Sequence, residues 1–251
     1  MRLPSVDMLG TVRLLRKIPG VLFLLAFLVF LVTSNVRIAF NSVALYELGF
    51  SSHDVARTTG LEPAELSKAA EQVRDYFNSS DELLDVRISV DGVTRSIFVE
   101  REILHMRDVK DVAWTAFRIQ EGSALYLFFF VTVGFFVHGG EFSRPVSRLV
   151  TRGSALTVVI IVLAGVVAAI GFRPIFVLFH QLSFSNDLWQ LDPLTSYLVQ
   201  MFPLGFWLDA TLLIAVASVV EAISAVVLLK LISWWRQWLA RVAQSKAPQF
   251  V

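Results

Sequence analysis

Proton chemistry has few places to happen in this chain. Of its four histidines, His105 and His180 lie in segments that could hold a reacting group. His105 stands in the run ILHMRDVK with Asp108 three residues on, so the two share a face if the run is helical. A carboxylate so placed can hold an imidazole in one tautomer and stabilise its cation. The same run, with Arg107, Lys110 and Asp111, also reads as an ordinary mixed-charge surface. His180 lies seven residues before Asp187, within the long segment from Arg173 to Trp207 that also holds Asn186, Asp192 and Pro174, Pro193 and Pro203. Taken alone, His180 is a catalyst or a packed polar residue. Its spacing is not the four-residue gap of glycerophosphate-type acyltransferases.

The other polar candidates have plainer readings. His53, in Ser51–Ser52–His53–Asp54, reads as a solvated helix-cap residue, and His138 as an interfacial one. Asn35 and Arg37 near the end of the first apolar run could meet a carbonyl or phosphate oxygen, or Arg37 could simply snorkel to the interface. Glu221 falls deep in the last apolar run, where acids are rare; a protonated, helix-packing role is expected. Cysteine is absent, which excludes disulfides, thiolate nucleophiles and Fe–S ligation. No GxSxG elbow, GxGxxG, P-loop or HExxH run occurs. His105, His180, Asp108, Asp187 and Asp192 could in principle hold a metal, but no tight ligand spacing supports one, so no metal or other cofactor is expected.

The elements that must position these groups follow from composition. The chain has 251 residues, 55% of them hydrophobic, and a mean hydropathy of +0.65, too apolar for an ordinary soluble domain and fitting an integral membrane protein. A net charge of +1 without a long basic tail gives no reason to expect nucleic acid. The expected fold is a mainly α membrane protein: four transmembrane helices with a small extracytoplasmic α+β cap. Residues 1–40 are read as a cytoplasmic N-terminus and first span, with no small-residue cleavage pattern after the apolar run. Residues 41–122 form the cap, with fifteen Asp/Glu against nine Lys/Arg. Within it, Glu62–Asn78 is expected to be a helix that puts Leu66, Ala69, Ala70, Val73 and Phe77 on one face, and Asp91–Gly92 to turn a hairpin between Val86–Val90 and Val93–Val99. A helix is expected from Glu100 on. Residues 123–138 are the second span, 139–153 a cytoplasmic loop, 154–172 the third span, 173–206 an aromatic interfacial loop, 207–232 the fourth span and 233–251 a cytoplasmic tail.

Orientation is argued from Lys and Arg near helix ends. Arg2, Arg13, Arg16 and Lys17 precede the first run; Arg144, Arg148 and Arg152 fill the 139–153 loop; Lys230, Arg236, Arg241 and Lys246 follow the last run, with Trp234, Trp235 and Trp238 as an interfacial belt. The 173–206 segment has only Arg173. Both termini are therefore expected on the cytoplasmic side, and the cap and the aromatic segment on the outer face, where they share one surface.

His105–Met106–Arg107–Asp108–Val109–Lys110, followed by Leu178–Phe179–His180–Gln181–Leu182–Ser183–Phe184–Ser185–Asn186–Asp187–Leu188–Trp189 and Leu191–Asp192–Pro193, resembles a bacterial family of four-helix membrane proteins whose characterised members are lipoprotein intramolecular transacylases. The resemblance covers nearly the whole chain. It implies an enzyme of the bacterial cytoplasmic membrane that moves the sn-2 acyl chain of an S-diacylglyceryl cysteine to that cysteine's own α-amine. The implied partners are a diacylglyceryl lipoprotein and membrane lipids, and the implied catalytic pair is His105 and His180. An α-amine with a pKa of about 8 must lose a proton before it attacks an ester, and a histidine can take it. Asp108 is the candidate to orient His105, Asn186 or Arg37 to stabilise the oxyanion, with Asp187 alongside. Phe179, Phe184, Trp189, Phe202, Phe206 and Trp207 are candidate pocket walls, or an interfacial belt. Two rivals remain: a metal-assisted membrane lipid hydrolase, and a non-enzymatic lipid- or partner-binding membrane protein.

Overall fold

The computed structural model describes residues 17–90 and 92–245. Arg2, Arg13, Arg16, Asp91 and Lys246, used above for orientation and turn, lie outside the described residues. Helix α1 (Ile18–Asn41) opens the fold. Its 24 residues rise roughly 36 Å, more than a hydrocarbon core of about 30 Å requires. Among the described residues, three helical stretches are long and apolar enough to cross a membrane: Ile18–Asn41, Glu100–Ile170 and Leu204–Val242. The second span expected from the sequence, and all but the last two residues of the third, fall inside the middle stretch.

By its internal contacts the chain divides into two units. The first comprises Met1–Leu31, Gly122–Ile161 and Ser218–Val251. It contains the end of α5 (Glu100–His138), a 3₁₀ turn (Gly139–Phe142), most of α6 (Ser143–Ile170) and most of α9 (Leu204–Ser245). The loop expected over 139–153 is therefore mostly helix. Only the 3₁₀ turn breaks it, beginning at Gly139 with φ +55°. Pro145 does not prevent helix there, because it sits in the first turn of α6, where its missing N–H removes no bond. Small residues let helices approach in this unit. A Cβ on Gly153 would stand 3.0 Å from the Phe27 ring, and one on Gly134 would overlap Phe142.

The second unit, Val32–Glu121 and Val162–Ala217, holds the polar segments. After α1 come α2 (Val43–Ser52), α3 (Val55–Thr59) and α4 (Pro63–Asn78). Helix α4 has proline in its first turn and buries Leu66, Ala69, Ala70, Val73, Tyr76 and Phe77, the expected face with Tyr76 added. Each large side chain buried there contributes about 1.5–3 kcal/mol. Strands β1 (Arg87–Val90) and β2 (Val93–Ser96) pair antiparallel with Val90 opposite Val93, and Gly92 takes φ +77°, as a tight two-residue turn requires. The core joins these elements to Met106, Ala113 and Phe117 of α5 and to Leu198, Met201, Phe202 and Phe206. Two short helices, α7 (Phe172–Ser183) and α8 (Tyr197–Met201), lie within the segment expected as a loop.

Candidate active site

The site is built on the first turns of α5 and on α7, both in the second unit. From Glu100 to Glu121, α5 carries nine charged residues, too many for hydrocarbon, so this part stands outside the membrane-spanning portion. The HMRDVK run divides between two faces. Met106 is 5% exposed and packs in the core. Lys110, also buried, donates to the Asp81 carbonyl at 2.7 Å and lies 4.0 Å over the Tyr76 ring, which fixes the 79–82 segment against the helix. His105 and Asp108 face the other way, toward α7 and the chain that follows it.

The ring centroids of His105 and His180 are 6.0 Å apart, and each residue is 7% exposed. Phe184 lies against both, at 5.2 Å from His105 and 5.5 Å from His180. Phe179 and Trp189 complete the aromatic surround of His180, at 5.4 and 5.1 Å. Nδ1 of His180 is 2.7 Å from the Phe176 carbonyl oxygen. A carbonyl only accepts, so Nδ1 carries the proton, and in the neutral ring the lone pair is on Nε2. Nδ1 of His105 is buried without a hydrogen-bond partner. Burial, and then the neighbouring His180, pull His105 down to a pKa of about 4, with Asp108 opposing. Burial also lowers His180, against the Phe176 carbonyl, which favours the cation. Two neutral imidazoles therefore face each other at physiological pH. On the other side of Phe184 is a cavity of about 320 Å³ lined by Asp108, Asp111, Thr115, Ser183, Phe184 and Asn186 among others, with neither histidine in its wall.

A family model for the lipoprotein intramolecular transacylase Lit matches residues 21–207. The chain belongs to the Lit family. It is thus an integral membrane acyltransferase. The Lit fold agrees with this. The membrane-integral Lit from Bacillus cereus aligns with a TM-score of 0.71 at 18% identity, over 88% of this chain and 97% of that one. A histidine-to-alanine variant of the same Bacillus cereus protein gives 0.71 at 16%, over 92% and 100%. No curated protein sequence matches the chain.

Not every candidate for this Lit-family site joins the histidine pair. Asp108 makes no hydrogen bond to His105; it accepts one at 2.7 Å from the Asn186 amide, and its influence on His105 is through charge alone. Asp187 is turned to Arg101, which reaches its carboxylate at 3.6 Å and its carbonyl at 2.5 Å. Arg37 is not brought to the histidines. It bonds Glu121 at 3.0 Å and Gln120 at 3.1 Å, some sixteen residues along α5 from His105, or roughly 24 Å by helix rise. Phe202 and Phe206 are core residues against Tyr46 and Phe50 rather than pocket walls, and Trp207 touches the site only through Phe176, at 6.3 Å. His53, read as a solvated cap, bonds Asp209 at 2.8 Å.

Sequence reasoning missed Phe176. Its ring is 4.2 Å from His180 and its carbonyl sets that ring's tautomer. The signal was available: residue i−4 of a helical histidine offers its carbonyl to the side chain. Among the described residues, no group of three His, Asp or Glu side chains is gathered to hold a metal ion.

Proposed function

We propose that this enzyme moves the sn-2 acyl chain of an S-diacylglyceryl cysteine to the α-amine of that same cysteine, with His180 as base and His105 as hydrogen-bond donor to the reacting ester. The observation that carries the reading is the 6.0 Å pairing of two buried imidazoles, one of them with its tautomer set by the Phe176 carbonyl. The free Nε2 lone pair of His180 takes the amine proton as nitrogen attacks the ester carbonyl. The C–N bond forms, and the charge on the tetrahedral oxygen is met by an N–H of His105. Collapse breaks the bond to the glyceryl oxygen, which receives the proton from His180. His105 is a poor proton acceptor at neutral pH but keeps an N–H to donate, the property this role needs. Since nucleophile and ester belong to one molecule, holding them in register is worth up to about 7–11 kcal/mol.

In this reading the chain crosses the cytoplasmic membrane four times, the middle stretch turning back at Gly139–Phe142. Both termini are cytoplasmic and the site faces outward. Exposed Leu178, Phe179 and Leu182 on α7, flanking His180, support an interfacial position where acyl chains arrive from lipid. The test is co-expression with a diacylglyceryl lipoprotein and mass spectrometry of its N-terminal peptide. The expected product is N-acyl, S-monoacylglyceryl cysteine, lost in His105→Ala and His180→Ala. A diacylglyceryl peptide left unchanged beside folded enzyme overturns the reading.

A further inference from the structure

Glu102 has a place in this fold that helix capping does not explain. It is the third residue of α5 and is 1% exposed. One carboxylate oxygen, Oε2, accepts the Val99 N–H at 2.7 Å, half of a capping box at the helix start. That function needs no burial, because Glu at this position caps equally well at a surface. The other oxygen, Oε1, accepts from the Ser196 hydroxyl at 2.5 Å and from the Leu198 N–H at 2.9 Å, groups more than ninety residues later in the chain. All three donors are uncharged. A carboxylate withdrawn from water is costly unless its acceptor positions are filled, and here they are filled by the segment that must be aligned with α5.

The two ends of this contact lead to the two histidines. On α5, His105 stands one turn beyond Glu102, so they share a face. On the other side, Ser196 caps α8 by accepting from Val199 N–H at 3.3 Å, and α8 runs into Met201, fully buried, and Phe202. Trp207 Nε1 donates to the Phe202 carbonyl at 3.1 Å, and the Trp207 ring is 6.3 Å from Phe176, whose carbonyl holds His180.

We propose that Glu102 is a positioning residue for acyl transfer: by binding Ser196 and Leu198 it sets the separation of His105 and His180. This rests on the proposed function above. It is tested on the full-length protein in lipid nanodiscs with a diacylglyceryl lipopeptide, measuring kcat, KM and thermal unfolding for Glu102→Leu, Glu102→Gln, Ser196→Ala and the Glu102→Gln/Ser196→Ala pair. Glu102→Leu is expected to lower kcat on the order of 100-fold with KM within about 3-fold, the loss that a 1 Å misplacement brings. Glu102→Gln keeps an oxygen for Ser196 and Leu198 but sets its NH2 against the Val99 N–H, and is expected to restore only part of that kcat. Ser196→Ala is expected to lower kcat about 5-fold, and the double variant no more than about 2-fold further, because both changes strike one contact. If Glu102→Leu does not fold, the Ser196→Ala and double-variant rates decide alone. Wild-type kcat per folded molecule in Ser196→Ala, or in a folded Glu102→Leu, overturns the proposal and leaves Glu102 a capping residue. His105→Ala run in parallel separates the two claims. If it remains active, the histidine reading falls. If it is dead while the Glu102 and Ser196 variants keep wild-type kcat, only the positioning claim falls.

Discussion

Asn186 donates its amide to Asp108 at 2.7 Å across 78 residues of sequence. The bond fixes the turn after α7 to α5, and it uses the two polar groups expected to orient His105 and to stabilise an oxyanion. Asp108 is left as a structural anchor with an electrostatic side effect. Asp108→Asn keeps an acceptor for Asn186 and is expected to retain activity within about 10-fold. An acid that held the tautomer of His105 through a hydrogen bond would instead cost on the order of 10⁴ in kcat. Turnover of a diacylglyceryl lipopeptide, measured for Asp108→Asn beside wild type, distinguishes the two.

Burial lowers the proton affinity of both imidazoles, which sets a pH dependence. For His105 the folded pKa of about 4 lies under the unfolded value near 6.5. Between those values the unfolded chain binds more protons, so stability is fully present above about pH 6.5 and is lost as pH falls toward 4. The activity profile follows the same sense. The log of kcat/KM should climb through the substrate amine near pH 8 and show no histidine limb between 6 and 7. A limb centred near 6.5 would mean that the imidazoles are hydrated in solution.

Phe184 touches both histidines and is 8% exposed. Phe184→Ala is expected to admit water and divert the acyl group, so that free fatty acid appears by chromatography while N-acyl product falls about 10-fold or more. Phe184→Leu, closer in volume, should keep the transfer reaction dominant.

Gly49 packs against Phe206 so closely that an added Cβ would stand well inside van der Waals contact with the ring. Gly49→Ala is expected to cost about 1–3 kcal/mol of stability through overpacking, read as a lowered thermal midpoint.

Much of this architecture was legible in the sequence where local pattern and packing agree. The first apolar run, the α4 face from Leu66 to Phe77 and the start of α5 at Glu100 each rest on periodicity along one element. His105 drew attention through Asp108 one turn on and His180 through its aromatic segment, and the family resemblance implied them as a pair. What could not be read depends on partners far apart in the chain. Arg37 has the same side chain whether it meets an ester oxygen or Glu121. Phe202 and Phe206 are as aromatic in a core as in a pocket wall. The stretch after Gly139 is arginine-rich enough to suggest a loop, yet Arg144, Arg148 and Arg152 recur every four residues, a spacing that a helix satisfies equally well. Glu102 was one acid among fifteen until its burial was known.

The oxygen that holds His180 is a main-chain carbonyl, one helical turn back. No residue type owns such an atom. Any amino acid at position 176 that keeps the turn would offer the same acceptor, so the tautomer lock is insured against mutational drift in a way that an Asp or Glu partner is not. Divergence at that site can change the ring that shelters the imidazole, and so its proton affinity, while the direction in which its free lone pair faces is inherited from the backbone.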